Sequence, residues 1–556
     1  MAHNSPYAHQ LACSLIAEQF GPICEKVCQA LLRHGVQSLG ELIRNSGLPA
    51  GQIRNGLLVL IQHNCAIVYQ HHPEPGLRVA AASYYLYEPA TAAILQNLRK
   101  PRFLLLVKDE YVNAQTGEDG TIHETIVEVL LENGRLTLEQ IILATAEKLE
   151  QTGEEGRASI KRRIMHLMHD HLLEQAPPCD MPRPDPAVHE NAQKRRGAPK
   201  PGSQDAASQE AEAARKLAEE DYAKARFQLP RALILDEIDA DTEAGALFAA
   251  SERKRRKLGN GQAVPGGEGS KEGAVLWRVN TDECNRRLRH AACVRLVTQK
   301  RGTDVGAALA ALLAASCPFE TKLKEHFSVE FAEVDILKAA QRLADAKPEA
   351  YVMPADMTAC LRELVEDDLR LAAVGGEGPN GTGYFANESN IINIVKVKEV
   401  EAVVRERFGA LGLRVFRLLL LSGQLEQKQI ADQAMMPLKD CRELLYRMLK
   451  AGFVGLQDIP KTADHAPSRT FYTWRVAAKA AADLLAAELY REAHNIRTRL
   501  DHEMLQQREV LEMVEGGNGH ILHTHRGPLE RIKKVSAVLE TCLLQVDALI
   551  AIFNDF

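Results

Sequence analysis

Apolar residues recur along this chain at helical spacing in stretches of two to four turns, each followed by a polar turn and later by a short continuous apolar run. In the first stretch Leu39, Leu42 and Ile43 mark a short helix face, and Ser46-Gly47-Leu48-Pro49 a turn. Ile53, Leu57, Leu60 and Ile61 then repeat at about 3.6-residue spacing before Ala66-Ile67-Val68-Tyr69. This order predicts helix-turn-helix followed by a wing strand. It returns with Leu136, Leu138, Ile141 and Ile142, a polar turn at 152–156, and Ile160, Ile164, Leu167 and Met168 leading to His171-Leu172-Leu173. Near the end, Leu425, Ile430 and Ala434 precede a turn at Met436-Pro437, then Leu444, Leu445, Met448 and Leu449 lead into Gly452-Phe453-Val454, where the Gly suits a helix C-cap. A more divergent copy fits through Asn285 to Val297, Val305 to Ala314 and a helix from Met357 to Val374.

Four winged-helix units result. In each, three short helices bury a shared apolar face and a hairpin covers the open side, leaving the third helix to enter a DNA groove or to dock protein. The expected fold class is mainly α with small β wings, closed by an antiparallel helical hairpin. That hairpin is read from Leu485, Leu489, Ile496, Leu500, Met504, Leu511 and Val514, near a 3.5-residue repeat, then the loop 516–519, then Leu529, Ile532, Val535, Leu539, Cys542, Val546 and Ile550. The domain division is 1–100, 101–176, a Pro-, Gly- and charge-rich linker at 177–272, 273–397, 398–476 and the hairpin at 477–556. Gly375 to Gly383 reads as a hairpin or loose loop between a helix and a β-rich run from Tyr384 to Val397.

Composition changes this picture little. With 556 residues the chain is too long for one core, and 46% hydrophobic with 26% charged residues fits globular domains. Aromatics at 5% favour helices over β-sandwiches. A net charge of −6 gives no global attraction to nucleic acid or anionic membrane, so such binding must be local. Apolar runs such as 104–107 and 418–421 fall far short of a membrane span, and the first thirty residues do not resemble a secretory signal. Eleven Cys without CxxC spacing suit a reducing compartment, with Cys24 and Cys28 expected in the core.

No catalytic constellation stands out: there is no Walker loop, GxSxG, HExxH or zinc knuckle. No catalytic residue, metal site or cofactor is therefore expected. His166, His169 and His171 would meet His71-His72 only if the domains fold together and are not read as a metal site, and His520, His523 and His525 are read as solvated. Basic clusters say more. Arg157, Lys161, Arg162 and Arg163 crowd the second unit's third helix on the side away from its apolar stripe, and Lys439 and Arg442, with Arg447 and Lys450, do so in the fourth. These are the candidate DNA contacts, with protein docking as the competing use. Arg253-Lys254-Arg255-Arg256-Lys257 offers five consecutive cations and is the candidate nuclear-localisation signal.

The segment from Leu425 to Trp474 resembles the large tandem winged-helix subunit of eukaryotic RNA polymerase III. Its most specific stretch is Asp458-Ile459-Pro460-Lys461-Thr462 followed by Asp464, His465, Ala466, Pro467, Ser468, Arg469, Thr470, Phe471 and Tyr472. Ser14 to Gly21, Ile61 to Asn64, Lys100 to Phe103, Glu124 to Thr137 and Trp277 to Asn280 look like the same family in the same order. The resemblance implies a noncatalytic, nuclear subunit similar to the large subunit of the polymerase II general factor TFIIE. It also implies a heterotrimer with one smaller winged-helix subunit and one acidic subunit at the polymerase clamp. Such a trimer works with initiation factors to open promoter DNA for small structured RNAs such as tRNA and 5S rRNA, without a membrane partner. The competing classes are a free winged-helix transcription factor and a lid-type winged-helix scaffold. In the signature, Phe471, Tyr472 and Trp474 suit a second wing strand, Asp458 to Pro467 its tip, and Asp464 with Arg469 a cross-loop pair.

Overall fold

The structure is a computed structural model that describes residues 5–71, 84–113, 118–150, 153–179, 216–217, 220–228, 230, 275–320, 322–348, 351–378, 381–460, 470–508 and 523–556. They fall into two compact units, residues 13–284 and residues 285–556 with the first twelve. The candidate localisation signal 253–257, the signature residues Asp464 to Arg469 and the loop 516–519 lie outside the described residues.

The first module, within residues 13–284 apart from the start of its first helix, runs from α1 (Pro6–His34) through β1 (Gln37–Ser38), α2 (Leu39–Ser46), α3 (Ala50–Gln62), β2 (Ala66–His71) and β3 (Tyr84–Pro89). A connector follows: α4 (Thr91–Gln96), α5 (Lys100–Glu110) and the two-residue strands β4 (Val112–Asn113) and β5 (Glu118–Asp119). The second module holds α6 (Thr121–Asn133), β6 (Leu136–Thr137), α7 (Leu138–Lys148), α8 (Glu154–His169), β7 (Leu173–Gln175) and β8 (Leu276–Val279). In the other unit, α9 (Thr281–Arg301), α10 (Thr303–Ser316), β9 (Phe331–Ala332), α11 (Glu333–Ala346), α12 (Met357–Glu366), β10 (Ala372–Gly378) and β11 (Gly381–Ala386) make the third module. The fourth comprises α13 (Glu388–Ser422), β12 (Gln424–Glu426), α14 (Gln427–Gln433), α15 (Leu438–Lys450), β13 (Gly455–Pro460) and β14 (Thr470–Arg475), and α16 (Ala478–Gln506) and α17 (His523–Ile550) follow.

All four three-stranded sheets place the last strand between the first and the second, as in β1-β3-β2 and β12-β14-β13. Local sequence explains the repetition. The first strand ends in a residue that caps the next helix: the Ser38 N–H donates to Glu41 Oε2 at 2.8 Å, Thr137 N–H to Gln140 Oε1 at 3.0 Å and Glu426 N–H to Gln429 Oε1 at 3.0 Å. The exit of the third helix is built alike in each module, on a left-handed residue: Asn64, His171, Arg370 and Gly452 all have positive φ. In three of them the next N–H closes back five residues, from Cys65 to Leu60, Leu172 to Leu167 and Phe453 to Met448. This turn drops a buried residue, Cys65, Leu172, Leu371 or Phe453, into the core just before the wing.

Four expectations are corrected. Leu276–Val279, assigned to the third unit, is the central strand of the second module's sheet, pairing with both Leu136-Thr137 and Leu173–Gln175. The linker therefore interrupts a wing instead of separating two domains. The third module's helix ends at Glu366, not Val374; Ala372–Gly378 is a strand, because Arg370 turns the chain and Gly375 and Gly376 cannot sustain a helix. The β-rich run stops at Ala386, after which Asn387 caps a helix through Asn390 N–H. Glu154 to Gly156, read as turn, are the first helical turn of α8, where two carboxylates suit the helix dipole.

The hairpin pairs α16 with α17. Leu485, Leu489, Leu529, Ile532 and Ile550 are buried, while Leu500 and Leu539 are half-buried and Met504 and Leu505 exposed. The stretch Gly527–Asp555 is long and apolar enough to cross a membrane by length and composition, contrary to the short runs picked out above. Asp547 lies buried within it.

Candidate nucleic-acid interface

On α8, Ile160, Ile164, Leu167 and Met168 are buried at helical spacing, which turns the intervening cations outward. Arg157 and Arg162 are exposed, whereas Lys161 and Arg163 are half-buried. Arg163 Nη1 donates to Ser159 O at 3.4 Å. It also lies near His123, a buried imidazole stacked on Tyr111 at 4.0 Å and facing His166 at 6.0 Å. Burial first, then the charges of His166 and Arg163, push His123 down to about 4, so this ring is a neutral packing element at the foot of α8. Tyr111 closes the stack by donating to Asp170 Oδ2 at 2.5 Å. The four basic residues are thus unequal: two face outward, and Arg163 is partly committed to its own module.

On α15 the buried set is Cys441, Leu444, Leu445 and Met448. Lys439, Arg442, Arg447 and Lys450 are all exposed, interleaved with exposed Asp440 and Glu443. Lys439, Arg442, Tyr446 and Lys450 follow one another at spacings of three and four, so one aromatic ring sits within a basic stripe. Tyr446 packs edge-on against buried Trp474, 5.4 Å between centroids, tying that stripe to the wing. In the wing, Asp458, Ile459 and Pro460 pair with Tyr472, Phe471 and Thr470, so they are strand, not tip. Phe471 and Tyr472 are exposed, and Leu456 and Ile459 add apolar surface to the hairpin. Cations beside exposed rings can hold phosphate and stack bases, or dock a protein.

The histidines do not converge. His166 faces His123, His169 approaches Asp170 at 3.3 Å and His171 stacks on Phe227 at 4.1 Å. The side chains of His520, His523 and His525 lie outside the described residues. Cys24 and Cys28 are buried, and burial pushes both thiols up, away from the thiolate a metal requires.

One cluster escaped the sequence reading. Among the described residues, His290, Glu320 and Glu388 bring three ligand-type atoms within 4.8 Å of one another, all buried. Arg289 Nη1 lies 3.1 Å from Glu388, Arg286 Nε 3.7 Å from Glu320, and His290 Nε2 3.2 Å from Glu320 and 3.6 Å from Glu388. Burial pulls the imidazole down, but bonds to Cys317, Glu320 and Glu388 outweigh it and hold His290 well above its ordinary value. A protonated imidazole is no ligand, and two guanidiniums already answer both carboxylates, so the donor set fits an ion network better than a metal. The available signal was Arg286, Arg289 and His290 at spacings of three and four, on one face of a helix.

Tandem helix-turn-helix modules with three-stranded wings, two of them presenting basic third helices, define a winged-helix protein. Three family models match in order along it: an RNA polymerase III subunit RPC82 helix-turn-helix domain at residues 10–70, RNA polymerase III subunit RPC82 at 163–364, and the POLR3C C-terminal winged-helix domain at 400–476. The chain is 28% identical to DNA-directed RNA polymerase III subunit RPC3 of Bos taurus, covering 98% of both chains. It is also 28% identical to the proteins of that name from Homo sapiens and Danio rerio, covering 90% of this chain and 85% of each relative. Along nearly its whole length the chain is thus similar to RNA polymerase III subunits of the RPC82/RPC3 type.

Proposed function

We propose that this chain is a noncatalytic subunit of RNA polymerase III that supports promoter-specific initiation. The observation that carries this reading is the near end-to-end match to proteins named as that subunit, with three family models in consecutive order. Each module of common strand order is one winged-helix domain, and α16 with α17 serves as a docking stalk. The chain joins two smaller subunits, one winged-helix and one acidic, at the polymerase clamp, and helps hold promoter DNA as it opens. Arg157 and Arg162, with Lys161 and Arg163 behind them, and Lys439 and Arg442 supply backbone contacts that do not read sequence. Assembly takes place in the nucleus, with Arg253 to Lys257 as an import signal.

Purification of the tagged chain from cells, with mass-spectrometric identification of what accompanies it, tests the reading. Recovery of the polymerase III core with two small subunits is the expected result. A proteasome-lid-like set, or the chain alone on specific DNA, would overturn it. For the import signal, a reporter carrying residues 240–270 is expected to leave the nucleus when the five cations become Ala; persistence there rejects the assignment.

A further inference from the structure

The interrupted wing of the second module carries a second peculiarity. Linker residues 220–228 are seated against its sheet. Tyr222 Oη donates to Gln175 O at 2.9 Å, Gln175 N–H donates to Arg226 O at 3.0 Å, and Phe227 stacks on His171 at 4.1 Å. Arg226 then reaches Glu174, a carboxylate 2% exposed, whose other oxygen accepts from Arg278 Nε at 2.7 Å. Arg226 Nη2 continues to Asn280 Oδ1 at 3.2 Å. A third guanidinium adjoins them: Arg135 Nε and Arg278 Nη1 share Asn64 Oδ1, at 2.9 Å and 3.3 Å.

Three cations here answer to one carboxylate. Among the described residues Glu174 is the one anion paired with any of them, so the cluster keeps a surplus of two positive charges. On an open surface water would screen that surplus, but Arg135 is buried and Arg226 and Arg278 are only 25% exposed. Burial and the charge of Arg278 both pull Arg135 down, which is the repulsion such a surplus must produce. Each guanidinium has five N–H donors in a planar fork, and the bonds above engage one on Arg135 and two each on Arg226 and Arg278. A dianion of phosphate geometry would neutralise the surplus and take up the remaining donors.

We propose that Arg135, Arg226 and Arg278 form a phosphate-binding site that is completed by the linker, which delivers Arg226 on a strap anchored through Tyr222 and Phe227. The site uses residues other than the basic faces of α8 and α15. Its ligand is a phosphate group, from a free phosphoanion or from a nucleic-acid backbone. The proposal does not depend on which complex the chain joins, because the purified chain suffices to test it.

The test is calorimetric titration of the full-length chain with pyrophosphate and, separately, with a short single-stranded oligonucleotide. Arg226→Gln is the decisive variant, since it lies on the linker and leaves the module's apolar core untouched. Loss of one charge-assisted fork should weaken pyrophosphate binding by about tenfold or more. Phe227→Ala keeps all three charges but removes the stack on His171, and should weaken binding in the same way if the strap delivers Arg226. Oligonucleotide binding falling in parallel assigns the site to a nucleic-acid backbone; a fall for pyrophosphate alone assigns it to a free phosphoanion. Wild-type chain that binds neither, or an Arg226→Gln chain that binds as wild type, overturns the site, and undiminished binding by Phe227→Ala overturns the strap.

Discussion

The His290 network and the Glu174 cluster are both polar groups set into winged modules, yet they are built to opposite rules. Around His290, two guanidiniums and an imidazole face two carboxylates inside a core, and backbone carbonyls take up what is left: Arg289 donates to Leu323 O at 2.9 Å and Glu325 O at 2.6 Å, and Arg286 to Cys317 O at 3.0 Å. Around Glu174, two half-buried guanidiniums share one buried carboxylate, one of them from a linker, and a third adjoins them through Asn64. The first arrangement ties α9 to the start of α13 and to the segment after α10, much as a cross-link would. The second carries unspent charge and a removable part, which is the composition of a binding site. Charge balance, more than the number of charged residues, separates the two.

Removing one guanidinium from each cluster should expose the difference. Arg289→Met leaves Glu388 buried beside His290 alone, and breaking a buried pair in this way costs about 3–5 kcal/mol. Arg226→Met leaves buried Glu174 still held by Arg278, so only one charge-assisted bond is lost and about 1.5 kcal/mol is expected. Denaturant melts of the two variants, followed by hydrogen exchange in the third and second modules respectively, check the ranking. Equal losses would mean that the strap is as structural as the core network.

The hairpin offers an intermediate case. Leu500→Asp and Leu539→Asp put a carboxylate on a half-buried seam instead of a sealed one, so each should cost about 1–3 kcal/mol of thermal stability. The same change at Leu489, which is buried, should cost more. If all three are silent in a melt and in co-purification with partner subunits, the α16–α17 packing is not what holds the stalk.

Acidity gives the His290 network a signature of its own. The folded-state pKa of His290 is raised, so its contribution is complete below the unfolded value near 6.5 and is lost as pH climbs through the higher folded value. Burial raises Glu320, but His290, Ser316 and Arg286 together hold it below its ordinary value, so its share is present above about 4.5 and is lost as pH falls through the lower folded value. Third-module stability should therefore decline toward alkaline pH, and His290→Gln should flatten that limb. Thermal melts from pH 6 to pH 10 read the slope; an unchanged slope in the variant removes His290 as the cause.

How much of this was legible in the sequence depended on whether the determinants are local. The helix-turn-helix periodicity, the Gly452 exit turn and the wing strand through Phe471 and Trp474 are set by neighbours within a few residues, and each was read correctly. The second module's central strand was not, because its partners Thr137 and Gln175 lie far back along the chain, Gln175 about a hundred residues before Leu276. The third module looked divergent for a visible reason: Ala332 holds the capping position, so Asp335, three residues on, has no side-chain cap to answer and pairs with Lys338 at 3.0 Å instead. Helical spacing showed which face of α8 carries cations, but it could not show that Arg163 leans toward His123, since that depends on where α6 packs.

The lean of Arg163 toward His123 bears on the salt dependence of DNA binding, where the smallest effect is expected. Cations that touch phosphate release condensed counterions, and each contact contributes about 0.9 to the slope of log affinity against log salt on duplex DNA and about 0.7 on a single strand. If all four basic residues of α8 made such contacts, replacing them with Ala would lower the slope by roughly 3 to 4 units. The structure turns only Arg157 and Arg162 fully outward, so their double replacement should account for most of the change, about 1.5 to 2 units. Arg163→Ala should move the slope little and instead ease His123 back toward its ordinary value, because one of the charges holding it neutral is gone. Salt titrations with the assembled polymerase subcomplex, paired with NMR titration of His123, separate these outcomes. A full slope effect from Arg163 alone would mean that its side chain swings out to meet DNA, and no effect from Arg157 and Arg162 would assign the helix to protein docking.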